Sequence, residues 1–501
     1  MPKHLDVRSG VYLDSVRLMQ VSRDTAAVDG VSSALVAMAT ELNLELLAGM
    51  GFTAPTAAAP ADLLIAIEAA DDDALAAALT QVESALTMRA AAEPAGFGAA
   101  PAPRTTASAV QRSGADIALI STPGQYAFVE AMDALEADRS VMVFSDNVPL
   151  ELEVQLKEKA TRRGLLVMGP DCGTAVVSGV GLGFANVVRP GPVGMVAASG
   201  TGAQQVMSLL DAAGVGISHC LGVGSRDMSE AVGGRSTLTA MDLLAADEAT
   251  EVVVVIGKPP APKVADAVAA RAAAIGKPVI VHLLGQGDAD LTSTAEAVVV
   301  AAGRSWEEPQ WWLAPEERNG RYPCIRGLFS GGTLCEEAML IARPVVGPIH
   351  SNIPLEPELG DAAEVRSGTD VRRHGHIMID FGDDQFTRAR PHPMIDNTLR
   401  VERMAADARD PDCGVLLLDV VLGHGAHPDP AADLAPAIKD AHAIAAADGR
   451  EVAVVISLIG TAGDPQGLER QAEALRDAGA SVHLSNAHAA RKAVELAEII
   501  L

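Results

Sequence analysis

Cysteine is scarce and scattered in this sequence. The five residues Cys172, Cys220, Cys324, Cys335 and Cys413 include no CxxC pair, so neither a disulfide framework nor a structural zinc site is suggested. Aromatic residues make up only 3%, so the cores are packed from Ala, Val and Leu. Cations are outnumbered, 38 Lys and Arg against 65 Asp and Glu, for a formal charge of −27. That balance argues against nucleic acid and against an anionic membrane surface as partners. No apolar run reaches the length of a membrane span, and the first residues, MPKHLDVRSGVYLDS, carry charges where a signal peptide needs an apolar core. A cytoplasmic location is expected. HExxH, GxSxG and Gly-Lys-Ser/Thr motifs are all missing, so no metal site, hydrolase elbow or Walker loop is expected.

What is present is α/β patterning over 501 residues, enough for about three or four domains. Residues 1–88 alternate short apolar runs (Val7 to Leu13, Val31 to Ala39, Asp62 to Ala69) with helical patterns (Ser15 to Val28, Asp71 to Leu86), and predict a small α/β domain. Residues 89–110 are rich in Ala and Pro and read as a linker. From 111 to 190 strands at Ala115 to Ser121, Val141 to Ser145 and Leu165 to Met168 alternate with helices, predicting a Rossmann-like parallel sheet. A third domain, 191–304, has strands at Ser218 to Val223, Glu251 to Ile256 and Pro278 to Leu284. A connector, 305–322, precedes a fourth domain, 323–501, with strands at Cys324 to Phe329, Gly414 to Val421, Glu451 to Leu458 and Ser481 to Leu484.

The third and fourth domains echo each other. Each opens with a strand, a Ser-Gly-rich turn and a helix: Ser199-Gly200-Thr201-Gly202 in one, Ser330-Gly331-Gly332-Thr333 in the other. Free amides and the dipole of a helix start favour an anion, and Ser or Thr adds a hydroxyl. Two such loops would clamp one phosphate between them. Ser and Thr are also ordinary helix caps, which is the competing reading.

Residues 115–287 resemble the α subunit of succinyl-CoA synthetase. The motifs are Gly169-Pro-Asp-Cys172, Val193-Gly-Met-Val-Ala-Ala-Ser-Gly-Thr201, Cys220-Leu-Gly-Val-Gly-Ser225 and the Ala249 to Gly257 strand followed by Gly276-Lys-Pro-Val279. Residues 326–501 resemble the carboxy-terminal domain of that enzyme's β subunit. The fused order, the extra front domain and the segment Asp380 to Asp396, which includes Arg390-Pro-His-Pro-Met-Ile-Asp396, resemble the FdrA family. The fold implied is a small α/β domain, a Rossmann-like CoA-binding-type domain and two flavodoxin-like domains.

The departures from the synthetase are as informative. Its phosphorylated histidine lies in a Gly-His-Ala-Gly loop; here the loop reads Leu284-Gly-Gln-Gly-Asp-Ala-Asp-Leu291. His282, in the preceding strand, reads as structural. Where the synthetase has a glutamate that orients the phospho-histidine, this chain has Lys258, in Ile256-Gly-Lys-Pro-Pro260. A lysine there favours an anionic ligand over a histidine ring. An ATP-grasp domain is missing. No cofactor is fixed by the sequence; the resemblance implies CoA, and the loops left to serve it carry Ser121, Pro123, Ser145, Asn147 and Pro170.

Other candidates follow from placement. His424 and His427 directly follow a buried strand, at the end where open α/β sheets bind ligands; the competing reading is a turn. His392 sits between two prolines near Arg388 and Arg390, cations suited to a carboxylate or phosphate; the competing reading is that the arginines simply pair with Asp383, Asp384 and Asp396. His374 and His376, in Arg372-Arg-His-Gly-His376, read as a solvated loop, with a cationic patch the competing reading.

The resemblance implies a subunit of an oxamate carbamoyltransferase, which interconverts oxalurate plus phosphate with oxamate plus carbamoyl phosphate in purine-ureide breakdown. Its substrates would be small anions, phosphate or carbamoyl phosphate among them, and its partners other subunits of one oligomeric complex. An acyl-CoA ligase subunit with a separate nucleotide-binding chain is the second reading, and a non-catalytic anion-binding scaffold the third.

Overall fold

The computed structural model describes residues 2–11, 15–53, 55, 58–87, 103–287, 289–315, 324–360, 375–387 and 390–498. It divides into two compact units, one of residues 1–104 with 384–396 and one of residues 105–383 with 397–501.

The first unit is built on an antiparallel sheet with Leu63–Ala69 between Lys3–Arg8 and Val31–Met38. The central strand shows why it sits there. Leu63, Ile65 and Ile67 point to one face, against Leu18, Val21, Ala78 and Val82 of the helices Ser15–Ala26 and Asp72–Thr87. Leu64 and Ala66 point to the other, against Leu47 and Phe52. This is the two-residue alternation of a pleated strand buried on both sides. The small α/β domain is as expected, although its first strand begins four residues before the Val7 to Leu13 run. The segment 384–396 joins this unit, where Arg23 Nη1 donates to Ile395 O at 2.8 Å.

Among the described residues the second unit holds three sheets. Ile117–Ile120, Ser140–Val143 and Val167–Met168 form a parallel three-stranded sheet in that order. The six-stranded sheet runs, in space, Val279–Leu283, Val252–Gly257, Pro190–Ala197, Ile217–Gly222, Thr174–Val177, Val180–Gly183. The last two strands form an antiparallel hairpin that the sequence patterning does not separate from the preceding loop, because alternate positions around Gly179 and Gly181 are small or glycine. The seven-stranded sheet runs Trp311–Trp312, Ala480–His483, Ala453–Ile459, Cys413–Val421, Cys324–Phe329, His376–Asp380, Ile349–His350. Trp311 and Trp312, read from sequence as part of an irregular connector, pair antiparallel with His483 and Val482. The stretch read as a linker ends in a helix, Thr106–Ser113, started by a Thr105/Ser108 capping box; its earlier part, residues 89–102, lies outside the described residues.

Buried polar links fix how these sheets meet. Lys157, 1% exposed, pairs with Glu153 and Asp227, both at 2.8 Å, and donates to Val223 O at 2.9 Å. This ties the helix Leu150–Arg163 to the turn after Ile217–Gly222. Between the two flavodoxin-like lobes, Gln205 Nε2 donates to Leu484 O, and Glu337 accepts from Leu291 N at 2.7 Å and Asn486 Nδ2 at 2.7 Å. Burial pushes the Glu337 carboxyl up to about 7.

Candidate functional site

The two Ser-Gly loops meet. Ser199 caps the helix Gly200–Ala212, its hydroxyl accepting from Gly202 N at 3.0 Å and donating to Thr333 Oγ1 at 2.7 Å. A side chain on Gly331 would lie 2.6 Å from Thr201 Oγ1, and one on Gly202 would lie 3.0 Å from Thr333 Cγ2. The first is closer than real Cβ atoms come and the second is tight enough that Thr333 would have to give, so glycine at these two positions lets the loops touch. The amides of Gly200, Thr201, Gly332 and Thr333 open the two helices and have no acceptor among the described residues.

The hydroxyls of Ser199 and Ser330 are already used. Ser330 N and Oγ donate to Asp419 Oδ1 at 2.7 and 2.9 Å, and Gly331 N donates to Asp419 Oδ2 at 2.9 Å. Arg400, 2% exposed, donates to the same carboxylate at 2.8 Å and to Asn397 Oδ1 at 2.6 Å. Burial raises the Asp419 carboxyl, opposed by Arg400 and the Ser330 and Gly331 donors. Ser330 is thus a tether to a buried ion pair, and Ser199 a helix cap.

The two serines should therefore respond differently to a carboxylate. Ser199→Asp keeps a good N-cap and is expected to leave the melting temperature within a few degrees. Ser330→Asp sets a second carboxylate against Asp419 and is expected to destabilise the chain by about 2 kcal/mol or more. Thermal melts of the two variants side by side check this, and equal melting temperatures would contradict it.

Lys258 lies beside these loops. It follows the strand Val252–Gly257 at its carboxyl end and is half-buried. From the point where a Gly332 side chain would begin, Lys258 Nζ is 3.7 Å away and Asp380 Oδ2 is 2.6 Å away. Asp380 ends the strand His376–Asp380 and is brought here by the parallel pairing of Asp380 with Phe329. Asn352 holds its backbone through two 2.9 Å bonds, and Gly382 N donates to Oδ1 at 2.9 Å. Burial pushes the Asp380 carboxyl up to about 7, with Lys258 pulling it down and Asp383 and Asp419 pushing it further up. Glu336, one turn along the helix, is also raised by burial and lowered by Lys258. A cation, a carboxyl that titrates near neutrality and two open helix starts can hold an oxyanion and exchange a proton with it.

The remaining candidates lie elsewhere. His427 Nδ1 accepts from Asp429 N at 3.0 Å and its Nε2 faces Asp433 at 3.1 Å, so it stabilises its turn. His424 is exposed, and its backbone forms a bridge with Ala185. His392 and Arg390 belong to the first unit, where His392 Nδ1 accepts from Met394 N at 3.2 Å. Arg388 and His374 lie outside the described residues. His376 is not in a solvated loop: it starts a strand, accepts from Ile325 N at 3.2 Å, and burial lowers it to about 4. His282 is buried in its strand, as the sequence implies.

Ser121, Pro123, Ser145, Asn147 and Pro170 lie in the loops at the carboxyl ends of the three parallel strands. Ser145 is buried and its hydroxyl donates to Thr122 O. Asn147 takes a positive φ of 52°, and a side chain on Gly124 would meet Asp146 O. Those loops are packed against one another.

These lobes define a succinyl-CoA-ligase-type protein. A family model described as a succinyl-CoA ligase like flavodoxin domain matches residues 190–306, and a CoA-ligase model matches residues 328–496. A third, described as AllF, heavy metal-associated domain, matches residues 1–103. The chain belongs to the same family as the uncharacterized protein YahF of Escherichia coli (strain K12), with which it is 39% identical over 504 residues, 94% of each chain. It is also similar to the succinate–CoA ligase [ADP-forming] subunit alpha of Methanothermobacter thermautotrophicus, 28% identical over 143 residues, 28% of this chain and 47% of that one. A solved acetyl-coenzyme A synthetase of Ca. Korarchaeum cryptofilum is 16% identical, with a TM-score of 0.31 over 81% of this chain and 88% of that one. Soft metals are held by thiolates, and residues 1–103 contain no cysteine. The front domain does not fit a thiolate metal centre. Among the described residues no helix is long and apolar enough to cross a membrane.

Proposed function

We propose that this chain is an FdrA-type subunit of a phosphate-dependent carbamoyl-transfer enzyme acting on oxalurate. The observation that supports it is the meeting of two helix starts with open amides beside Lys258, in a chain whose Leu284 to Leu291 loop has no histidine to phosphorylate. In the reaction a phosphate oxygen attacks the carbamoyl carbon of oxalurate and the bond to the oxamate nitrogen breaks. That nitrogen takes up a proton, leaving oxamate and carbamoyl phosphate. The helix starts and Lys258 would hold the phosphate and the charge that develops on the carbonyl oxygen. Other subunits of the complex would complete the site, and a carbamate kinase would consume the product.

A second reading, an acyl-CoA ligase subunit working with a separate nucleotide-binding chain, is favoured by the ligase names of the family models and of the relative from Methanothermobacter. One assay separates them: the full chain with the products of neighbouring genes, given oxalurate and phosphate without ATP or CoA. Carbamoyl phosphate formation is expected. Turnover only with ATP, CoA and a carboxylic acid would establish the ligase instead.

A further inference from the structure

We propose that Asp380 makes this anion site selective for an oxyanion that carries a proton, accepting hydrogen phosphate and rejecting sulfate. The inference rests on the phosphate reading above and adds which anion the site takes.

Asp380 is 6% exposed, and only one of its carboxylate oxygens accepts a hydrogen bond among the described residues. Oδ1 accepts from Gly382 N, while Oδ2 has no donor among the described residues and lies 2.6 Å from where a side chain on Gly332, the first residue of a fifteen-residue helix, would begin. Lys258 Nζ approaches the same point from the neighbouring lobe, and it makes no hydrogen bond or ion pair among the described residues. A cation, a carboxylate oxygen of a buried aspartate and an open helix start therefore converge beside a glycine with room for no side chain.

A carboxylate is an odd wall for an anion site unless the anion brings a hydrogen. Ionised, Asp380 can only accept; it repels sulfate, which has no proton near neutral pH, and takes a charge-assisted hydrogen bond from the O–H of hydrogen phosphate. Protonated, it donates and tolerates either anion. Burial raises this carboxyl most and Lys258 opposes that, so it changes state near pH 7; Asp383 and Asp419 add to the upward push. On the helix, Glu336 faces Lys258, and the Cys335 thiol is itself held protonated by burial and by these carboxylates.

The test is calorimetric titration of the full chain with inorganic phosphate and with sulfate. At pH 8 phosphate is expected to bind tenfold to a hundredfold more tightly than sulfate, the range for one charge-assisted hydrogen bond. At pH 6 the preference should narrow several-fold. Asp380→Asn, whose amide donates at every pH, should bind sulfate as well as phosphate at pH 8. If that variant does not fold, the pH series on the unaltered chain decides alone. Equal affinities at pH 8, a preference unchanged between pH 6 and 8 or retained by Asp380→Asn, or no binding of either anion would overturn the inference. Oxalurate cleavage with equal anion affinities would remove the selectivity and leave the reaction; selective phosphate binding without carbamoyl transfer would do the reverse.

Discussion

Asp419→Ala is expected to be the most destabilising single change considered for this protein, by about 3–5 kcal/mol, the usual result of leaving one member of a buried ion pair alone. Asp419 lies in the middle of the apolar strand Cys413–Val421 and is fully buried. It accepts from Arg400, Ser330 and Gly331 together. Its removal strands a guanidinium in the core and orphans the two amides that set the Ser330 loop. For a domain of this size the melting temperature should fall on the order of 10 °C. Asp419→Asn, which still accepts from the amides but no longer balances Arg400, should fall between. The double change Asp419→Leu with Arg400→Met should recover part of the loss, because no charge is left unpaired. Thermal melts of the four chains check the set, and an Asp419→Ala chain melting with the unaltered protein would refute the tether.

Lys258→Met should do the opposite, removing activity and leaving stability alone. The change keeps the aliphatic stem and deletes a half-buried charge that forms no ion pair among the described residues. Losing one charge-assisted contact to a phosphate or carboxylate costs roughly 1.5–3 kcal/mol, on the order of tenfold to a hundredfold in turnover or substrate affinity. The melting temperature should move little, since changes of this kind are usually within about 0.5 kcal/mol. Removing the cation also removes the pull that lowers Asp380, so any activity that depends on ionised Asp380 should shift its pH profile upward. Phosphate-dependent turnover and melting temperature, measured together, decide it. Unchanged turnover would return Lys258 to the solvent, and a large fall in melting temperature would make it structural.

The fold was legible because buried parallel strands announce themselves. Val252 to Ile256 and Val415 to Leu418 are continuous apolar runs between helical patterns, which is how a strand covered on both faces must read. The contact between the two Ser-Gly loops followed from their matching positions. The roles of Ser199 and Ser330 did not, because a capping hydroxyl and a ligand hydroxyl have the same sequence signature. Asp419 does carry a signal in the sequence, since a carboxylate inside a nine-residue apolar strand has to be paired. Asp380 had a weaker one, ending an apolar strand at the edge where ligands bind; only the pairing of that strand with Cys324–Phe329 brings it to Gly332. The hairpin Thr174–Gly183 was hidden by its glycines, and the histidine turns at His392 and His427 depend on bonds to backbone amides two residues away.

The central claim, a phosphate site that works without a phosphorylated histidine, is tested most directly by incubating the full chain, alone and with its partner subunits, with γ-labelled ATP. The chain should acquire no acid-labile, base-stable label, since its Leu284 to Leu291 loop has no histidine and His282 is buried in a strand. A label of that kind mapping to His424, His427 or His392 would contradict the account and restore the ligase mechanism.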